Sequence, residues 1–288
     1  MFVSAESLGV ITIKGDDART FLQGQATPDF RKLNPGVVAF GAFCSPKGRV
    51  IANGWFQATH DGYRFVLARD LVDQLVKRLR LYVLRARVVI TDESDADPLF
   101  LIVGEYGATS PETFQEDPLA IESLKWQFRH SDGLHIASGN LEVGTIAPLR
   151  GEMFTLALIR EGVPLVTSLT SDLYIPQMLS MERWGGLSFD KGCYTGQEIV
   201  TRTQFLGRVK RALYRFTSDS ASHLRPEVDI CQRSGDSEPF GSTFMTATFP
   251  NGGVTGLAVI KETDADAMKA FAEGYPIDLE RIATETRD

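Results

Sequence analysis

Residues 189–198 carry the sequence FDKGCYTGQE, in which a cysteine, a lysine, two carboxylates and two glycines stand within ten positions. The last four residues, Thr195 to Glu198, fit the S/T-x-x-E capping box. In this motif the threonine hydroxyl and the glutamate carboxylate each accept a backbone N–H at the start of a helix. The stretch therefore predicts a turn followed by a helix that Thr195 caps.

Cys193 has two interpretations. It lies two residues before the predicted cap, where free N–H groups and the helix dipole stabilise an anion. Lys191 adds a positive charge, and Gly192 and Gly196 allow a ligand to approach the backbone closely, which favours a reactive thiolate. Free cysteines are also among the most buried residues, and a turn before a capped helix explains the glycines without chemistry. The local residues leave both interpretations open.

The composition is that of a globular protein. The 288 residues are 43% apolar and 10% aromatic, enough for two or three small domains. No apolar run reaches the roughly 18 residues that a membrane span needs, and the N-terminus lacks a secretory signal pattern, so we expect a cytoplasmic protein. Three cysteines and four histidines show no C-x-x-C pair and no metal-ligand spacing. We therefore expect neither a disulfide framework nor a metal site.

A basic island interrupts this acidic chain. The net charge of −7 disfavours a protein whose whole surface binds nucleic acid. Between residues 190 and 215, however, six cationic side chains stand against two carboxylates. The island either attracts a polyanion, such as the glutamate tail of a folate or the phosphates of RNA, or is an ordinary solvated strand. Its cations are Lys191, Arg202, Arg208, Lys210, Arg211 and Arg215.

The order of predicted elements indicates an α+β fold. A helix over residues 17–23 precedes a hairpin over 37–59, and a helix capped by Asp70 follows a third strand. A helix over 153–161 ends at Gly162, and the residues after it lead into a small C-terminal β-domain. Several successive strands with few helices place the helices on one face of a mostly antiparallel sheet. The sequence has no G-x-G-x-x-G or Walker A motif to cradle phosphates.

The stretch FDKGCYTGQEIVTR resembles the signature of the YgfZ family of folate-binding proteins, which are relatives of the glycine-cleavage T protein and of mitochondrial iron–sulfur assembly factors. Three further segments agree with the family in the same order along the chain. They are FLQGQATPD at residues 21–29, CSPKGR at 44–49 and IPQ at 175–177.

The resemblance implies two α+β domains around a central channel that accepts tetrahydrofolate or a folate derivative, with a C-terminal β-barrel. The domains would cover residues 1–97, 98–207 and 208–288. It also implies a role in making or maintaining iron–sulfur enzymes, including one that modifies tRNA. By the same resemblance Cys193 is the candidate reactive thiol, assisted by Lys191. The cofactor-binding residues that it implies are Leu8, Phe154, Tyr194, Gln197, Glu198 and Arg202.

This chain departs from the T protein at one position that matters for chemistry. The T protein has an acidic pair in the strand after this hairpin turn, and its aspartate assists aminomethyl transfer to folate. Ala52 and Asn53 stand here instead, and an amide cannot act as a carboxylate base. Aminomethyltransferase activity is therefore not expected.

Three hypotheses follow for the function. The first is a folate-binding accessory protein of iron–sulfur metabolism. The second is a tetrahydrofolate-dependent one-carbon transferase that replaces the missing aspartate by Asp29 or Glu198. The third is an RNA-associated protein that contacts tRNA through Arg208, Lys210 and Arg211.

Overall fold

The structure is a computed structural model, and it describes residues 2–96, 99–102, 124–131, 134–139, 152–207, 209–250, 252–262 and 267–282. These residues form two open antiparallel sheets, a closed six-stranded barrel and a small set of helices. None of the helices in these ranges is long and apolar enough to cross a membrane. The α+β class with a C-terminal barrel is confirmed.

The strands of the two sheets are β1 (Phe2–Ser4), β2 (Leu8–Lys14), β3 (Val38–Cys44), β4 (Val50–Ala58), β5 (Gly62–Ala68), β6 (Val89–Asp92), β7 (Leu99–Ile102), β8 (Leu124–Ser131) and β9 (Leu134–Gly139). The barrel strands are β10 (Arg211–Ser218), β11 (Asp229–Cys231), β12 (Gly241–Thr248), β13 (Val254–Lys261), β14 (Ala267–Ala272) and β15 (Tyr275–Arg281). The α-helices are α1 (Ala18–Gln25), α2 (Val72–Val83), α3 (Glu152–Glu161) and α4 (Gln197–Phe205).

Strand β4 is the most buried element of the first sheet, whose strand order is β3-β4-β5-β2-β6. All nine of its residues are buried because both faces of the strand are covered. On one face, Phe56 packs against Phe30 and Phe65. On the other, Trp55 packs against Phe128 of the second sheet. Alternate residues of β4 therefore connect two layers of the protein.

Helix α2 covers the first sheet with an apolar stripe, because Val72, Leu75, Val76 and Leu79 recur at helical spacing and are all buried. The prediction that Asp70 caps this helix was wrong. Its carboxylate instead accepts hydrogen bonds from the backbone N and the hydroxyl of Ser168, at 2.9 and 2.6 Å. A contact that is distant in sequence has taken the place of the local cap.

The second sheet has the strand order β1-β7-β9-β8. Its first strand comes from the N-terminus of the chain, since Phe2 to Ser4 pair with Ile102 to Phe100. The division of the chain at residues 97 and 207 stays a proposal, and the pairing of β1 with β7 joins residues on either side of the first boundary.

The barrel closes on itself because β10 pairs with both β13 and β15. Closure leaves the sheet no free edge. Arg215 of β10 joins the barrel to α3, since its guanidinium donates to the carbonyls of Ile159 and Arg160 and pairs with Glu280. Arg215 therefore belongs to an internal joint, whereas the sequence placed it in a free basic island. Arg208 lies outside the described residues.

The start of α4 differs from the predicted capping box. The helix begins at Gln197, its N-cap is Gly196, and no side chain caps it. Gly196 has φ of 84°, in the left-handed region. A Cβ at this position would collide with the carbonyl oxygen of Ser45 and crowd Gly48. Close backbone packing against the turn at residues 44–49 therefore decides the geometry, and the Thr195 hydroxyl has no capping role.

We predict that Gly196→Ala lowers the free energy of unfolding by about 2 kcal/mol, because alanine is disfavoured at this φ and its methyl meets backbone atoms. Gly192→Ala is the matched control, since a Cβ at Gly192 has no atom within 4 Å. Urea unfolding of both variants measures the difference. Equal midpoints for the two variants would contradict this account of the turn.

Candidate functional site

A cavity of about 450 Å³ lies where the first sheet, α3 and the barrel meet. The end of β5 supplies one wall, α3 a second, and strand β12 a third. The lining residues are Ser7, Ala68, Arg69, Asp70, Phe154, Thr155, Leu158, Leu165, Thr167, Pro226, Phe244, Met245 and Thr246.

The lining of this central cavity is mostly apolar, with a few polar groups. Phe154, Leu158 and Phe244 are almost completely buried. Arg69 and Asp70 are the charged residues among those lining it, and four lining residues carry hydroxyls. An apolar chamber with a few convergent polar groups is the usual form of a small-molecule site.

Two hydrogen bonds of Asn53 fix one wall of the cavity. Its side-chain Nδ2 donates to the carbonyl of Pro164 at 2.7 Å, and its Oδ1 accepts from the backbone N of Val166 at 2.8 Å. Leu165, which lies between these two partners, lines the cavity, and its N–H points to the sulfur of Met245 at 3.2 Å. Asn53 is fully buried, so its amide holds the wall without reaching solvent.

The two proposed replacements for the missing aspartate do not lie at this cavity. Asp29 accepts two hydrogen bonds from the Arg31 guanidinium and one from Gln23. The Arg31 guanidinium holds the pKa of the Asp29 carboxyl well below its usual range. A carboxylate with so low a pKa is a weak base. Glu198 is exposed on α4, away from the lining residues.

Lys191 turns its ammonium group into the protein. Its Nζ donates to the carbonyls of Ala26 and Pro28 at 2.7 and 2.6 Å, and it lies 5.1 Å from the centre of the Tyr194 ring. Burial lowers the pKa of Lys191 to about 7. Burial also raises the pKa of Tyr194, whose hydroxyl has no hydrogen-bond partner among the described residues. Lys191 therefore ties the signature segment to residues 26–28.

Cys193 is exposed, whereas Cys44 is buried and Cys231 is half-buried. Burial raises the pKa of the Cys44 thiol to about 12, which makes it inert at neutral pH. No disulfide joins the three cysteines. Exposure is the condition that a nucleophilic cysteine must meet, and of the three thiols Cys193 meets it best.

The four segments that resemble the family signature converge on one another. The backbone N of Thr195 donates to Gly24 O, Lys191 binds the carbonyls of Ala26 and Pro28, and Gly196 packs on the turn at residues 44–49. The amide of Gln177 donates to Val200 O at 2.7 Å. We call this group of segments, residues 21–29, 44–49, 175–177 and 189–202, the signature cluster.

The predicted site residues fall into two groups. Phe154 lines the central cavity. Leu8 is buried and lines a neighbouring cavity, and Arg69 lines both cavities. The others lie in the signature cluster and do not line the central cavity; they are Lys191, Cys193, Tyr194, Gln197, Glu198 and Arg202. Sequence reasoning missed Met245, Phe244 and Thr155, because scattered apolar and hydroxyl residues carry no motif.

We predict that Asn53→Asp destabilises the fold in a pH-dependent way. A carboxylate cannot donate to Pro164 O, and its burial raises its folded-state pKa above the unfolded value of about 3.9. The penalty should be about 3 kcal/mol at pH 8, and it should shrink as the pH falls towards 5 because protonation restores a donor. Urea unfolding at both pH values measures this change.

Asn53→Ala is the control for the charge. It removes both hydrogen bonds without introducing an ionisable group, so its loss of stability should not depend on pH. The same pH dependence in both variants would exclude a buried carboxylate as the cause.

Curated relatives of the chain include a "tRNA-modifying protein YgfZ" from an Enterobacter species, 30% identical over 287 residues, with 93% of this chain and 87% of the relative covered. The protein of the same name from Vibrio vulnificus is 30% identical over 276 residues, covering 88% of this chain and 82% of the relative. No protein-family model matches the chain.

A solved structure supports the fold. The glycine cleavage system aminomethyltransferase T from Bartonella henselae superposes with a TM-score of 0.65, covering 98% of this chain and 84% of that one. Its 10% sequence identity makes this a likeness of fold alone. The predicted T-protein-like architecture is confirmed. With 30% identity to YgfZ proteins along nearly its whole length, the chain belongs to the YgfZ family.

Proposed function

We propose that this protein binds tetrahydrofolate or a related folate in the central cavity and acts as a cytoplasmic accessory protein in iron–sulfur cluster assembly or maintenance. Its clients would include an iron–sulfur enzyme that modifies tRNA. The observation that carries the proposal is the apolar cavity of about 450 Å³ with Phe154 in its wall, set in a T-protein-like fold. Membership of the YgfZ family supports the link to tRNA modification.

The residues of the cavity fit a folate by their chemistry. Phe154 and Met245 offer apolar and polarisable surface to a flat ring, and the hydroxyls of Thr155 and Thr246 offer donors and acceptors to its edges. Tetrahydrofolate, when bound, would supply ring nitrogens that carry one-carbon units. The chain itself would hold the ring and keep water from its apolar face.

The one-carbon transferase remains the second candidate because of Asp70. It is the carboxylate among the cavity-lining residues, and the hydrogen bonds from Ser168 occupy its Oδ2. The transferase hypothesis therefore depends on Asp70 and no longer on Asp29 or Glu198. Methylene-tetrahydrofolate formed from an amine donor by the wild type and lost in Asp70→Asn would establish it. Absence of turnover in the wild type would exclude it.

We predict that Thr155→Trp lowers the affinity for tetrahydrofolate by about tenfold or more, because the indole occupies the cavity that the ring needs. Titration calorimetry of wild type and variant measures the effect. Thr155→Ser is the matched control, since it keeps the hydroxyl, adds no volume to the cavity and should bind nearly as tightly.

Two results would count against the folate site. If the wild type does not bind tetrahydrofolate at millimolar concentration, the proposed ligand is wrong. If Thr155→Trp binds as tightly as the wild type, the ligand occupies some other part of the protein.

We further propose that Cys193 serves the iron–sulfur role as an exposed thiol at the protein surface. Because Cys193 does not line the central cavity, Cys193→Ser and Cys193→Ala should keep their folate affinity. The same variants should lower the activity of iron–sulfur enzymes in cells that lack the native protein. If both variants keep full activity of the iron–sulfur enzymes, Cys193 has no role in their assembly. If both variants also lose folate affinity, the thiol acts at the folate site.

A further inference from the structure

Helix α4 and the turn at residues 44–49 form one continuous surface. The Ile199 side chain lies against Gly48, which places Lys47 and Arg49 on either side of the contact. Arg202 follows Ile199 by three residues and therefore shares its helix face. Lys210 follows α4 by five residues, on the segment that leads into β10, where its carbonyl accepts a hydrogen bond from the backbone N of Glu262. We call the set Lys47, Arg49, Arg202 and Lys210, together with Phe205, the α4 surface.

The four cations of the α4 surface are exposed, and none of them forms an ion pair among the described residues. Arg49 makes one hydrogen bond, from Nη1 to the backbone carbonyl of Asp172. Elsewhere, some cations, such as Lys77 and Arg87, are paired with aspartates, whereas Arg85 and Arg233 are exposed and have no ion pair among the described residues. The exposed acids of this region are Glu198, Asp172 and Asp190, and Asp190 directly follows the Phe189 ring that Phe205 contacts. Positive charge is therefore left available here in a chain of net charge −7.

An aromatic ring stands at the edge of these cations. Phe205 is 66% exposed, and its ring forms a T-shaped contact with Phe189 at a centroid distance of 5.5 Å. Arg202 lies one helical turn before Phe205 on α4. Folding gains little from an aromatic ring that stays this exposed, whereas unpaired nucleobases stack on such rings.

We propose that the α4 surface binds RNA, with Lys47, Arg49, Arg202 and Lys210 contacting phosphates and Phe205 stacking on an unpaired base. The proposal rests on the proposed function for the choice of tRNA, and it moves the RNA contact away from Arg215, which the joint with α3 occupies. A second copy of this chain would bring like charges together. An acidic protein that docked here would also cover Leu206, the 85% exposed neighbour of Phe205. Substitution of Leu206 therefore distinguishes a protein partner from RNA.

The test measures binding of unfractionated tRNA by fluorescence anisotropy at several salt concentrations. Each phosphate contact lowers the slope of log binding constant against log salt concentration by about 0.7, so four contacts predict a slope of about −3. Arg49→Glu/Arg202→Glu should weaken binding at least about tenfold and reduce the slope by about half. Arg85→Glu/Arg233→Glu is the control, because it makes the same change of net charge at two exposed arginines elsewhere.

Phe205→Ala should weaken binding by about 5- to 100-fold, as the loss of one stacked base predicts, without a change in the salt slope. Leu206→Ala should bind like the wild type. The proposal is overturned if the wild type does not bind tRNA at low salt, or if the two double variants lose affinity equally. It is also overturned if Leu206→Ala costs as much as Phe205→Ala, which would indicate docking of an apolar protein surface.

A tetrahydrofolate titration keeps this inference separate from the proposed function. Arg49→Glu/Arg202→Glu should retain the folate affinity of the wild type, which also shows that the variant is folded. If the wild type binds folate but not tRNA, the RNA site on the α4 surface is wrong and the folate site in the central cavity stands. If it binds tRNA but not folate, the folate site is wrong and the RNA site stands.

Discussion

The buried amide of Asn53 holds the central part of this structure together. It donates to one backbone group and accepts from another on the segment at residues 164–166, so a strand that is buried on both faces is connected to the wall of the central cavity. A carboxylate could not make both bonds at neutral pH. The position can thus either fix the wall or supply a negative charge. In this chain the amide fixes the wall of the cavity, and the carboxylate that assists aminomethyl transfer in the T protein is absent.

Close approach of two glycine-containing turns is the second constraint. Gly48 and Gly196 are far apart in sequence, yet a side chain at either one would collide with the opposing segment. Their contact places the start of α4 against the turn that joins β3 and β4. The ammonium group of Lys191 adds a tie to residues 26–28. Together these contacts fix the signature segment and leave the Cys193 thiol exposed.

The structure therefore separates two regions that the resemblance treated as one site. The central cavity is apolar and lies among the first sheet, α3 and the barrel. The signature cluster lies outside the cavity lining, around the turn at residues 44–49 and the start of α4, and continues into the α4 surface. Binding of a small molecule and contact with macromolecular partners can thus occur at different places on one chain. Variants in one region need not disturb the other.

The sequence by itself determined the α+β class, the hairpin around SPKG, the end of α3 at Gly162 and a C-terminal β-domain, because alternation, turn residues and helix stops act over a few neighbours. That this domain is a barrel was implied only by the family resemblance. It also identified the family through four short segments. Only the tertiary structure decided that Gly196 and not Thr195 precedes α4, that Asp70 binds Ser168, and that Lys191 points inward. Each of these depends on a partner that is distant in sequence, and local patterns contain no information about such partners. The wall of the cavity could not be predicted from the sequence for the same reason, since Asn53, Leu165 and Met245 meet only when three parts of the chain pack together.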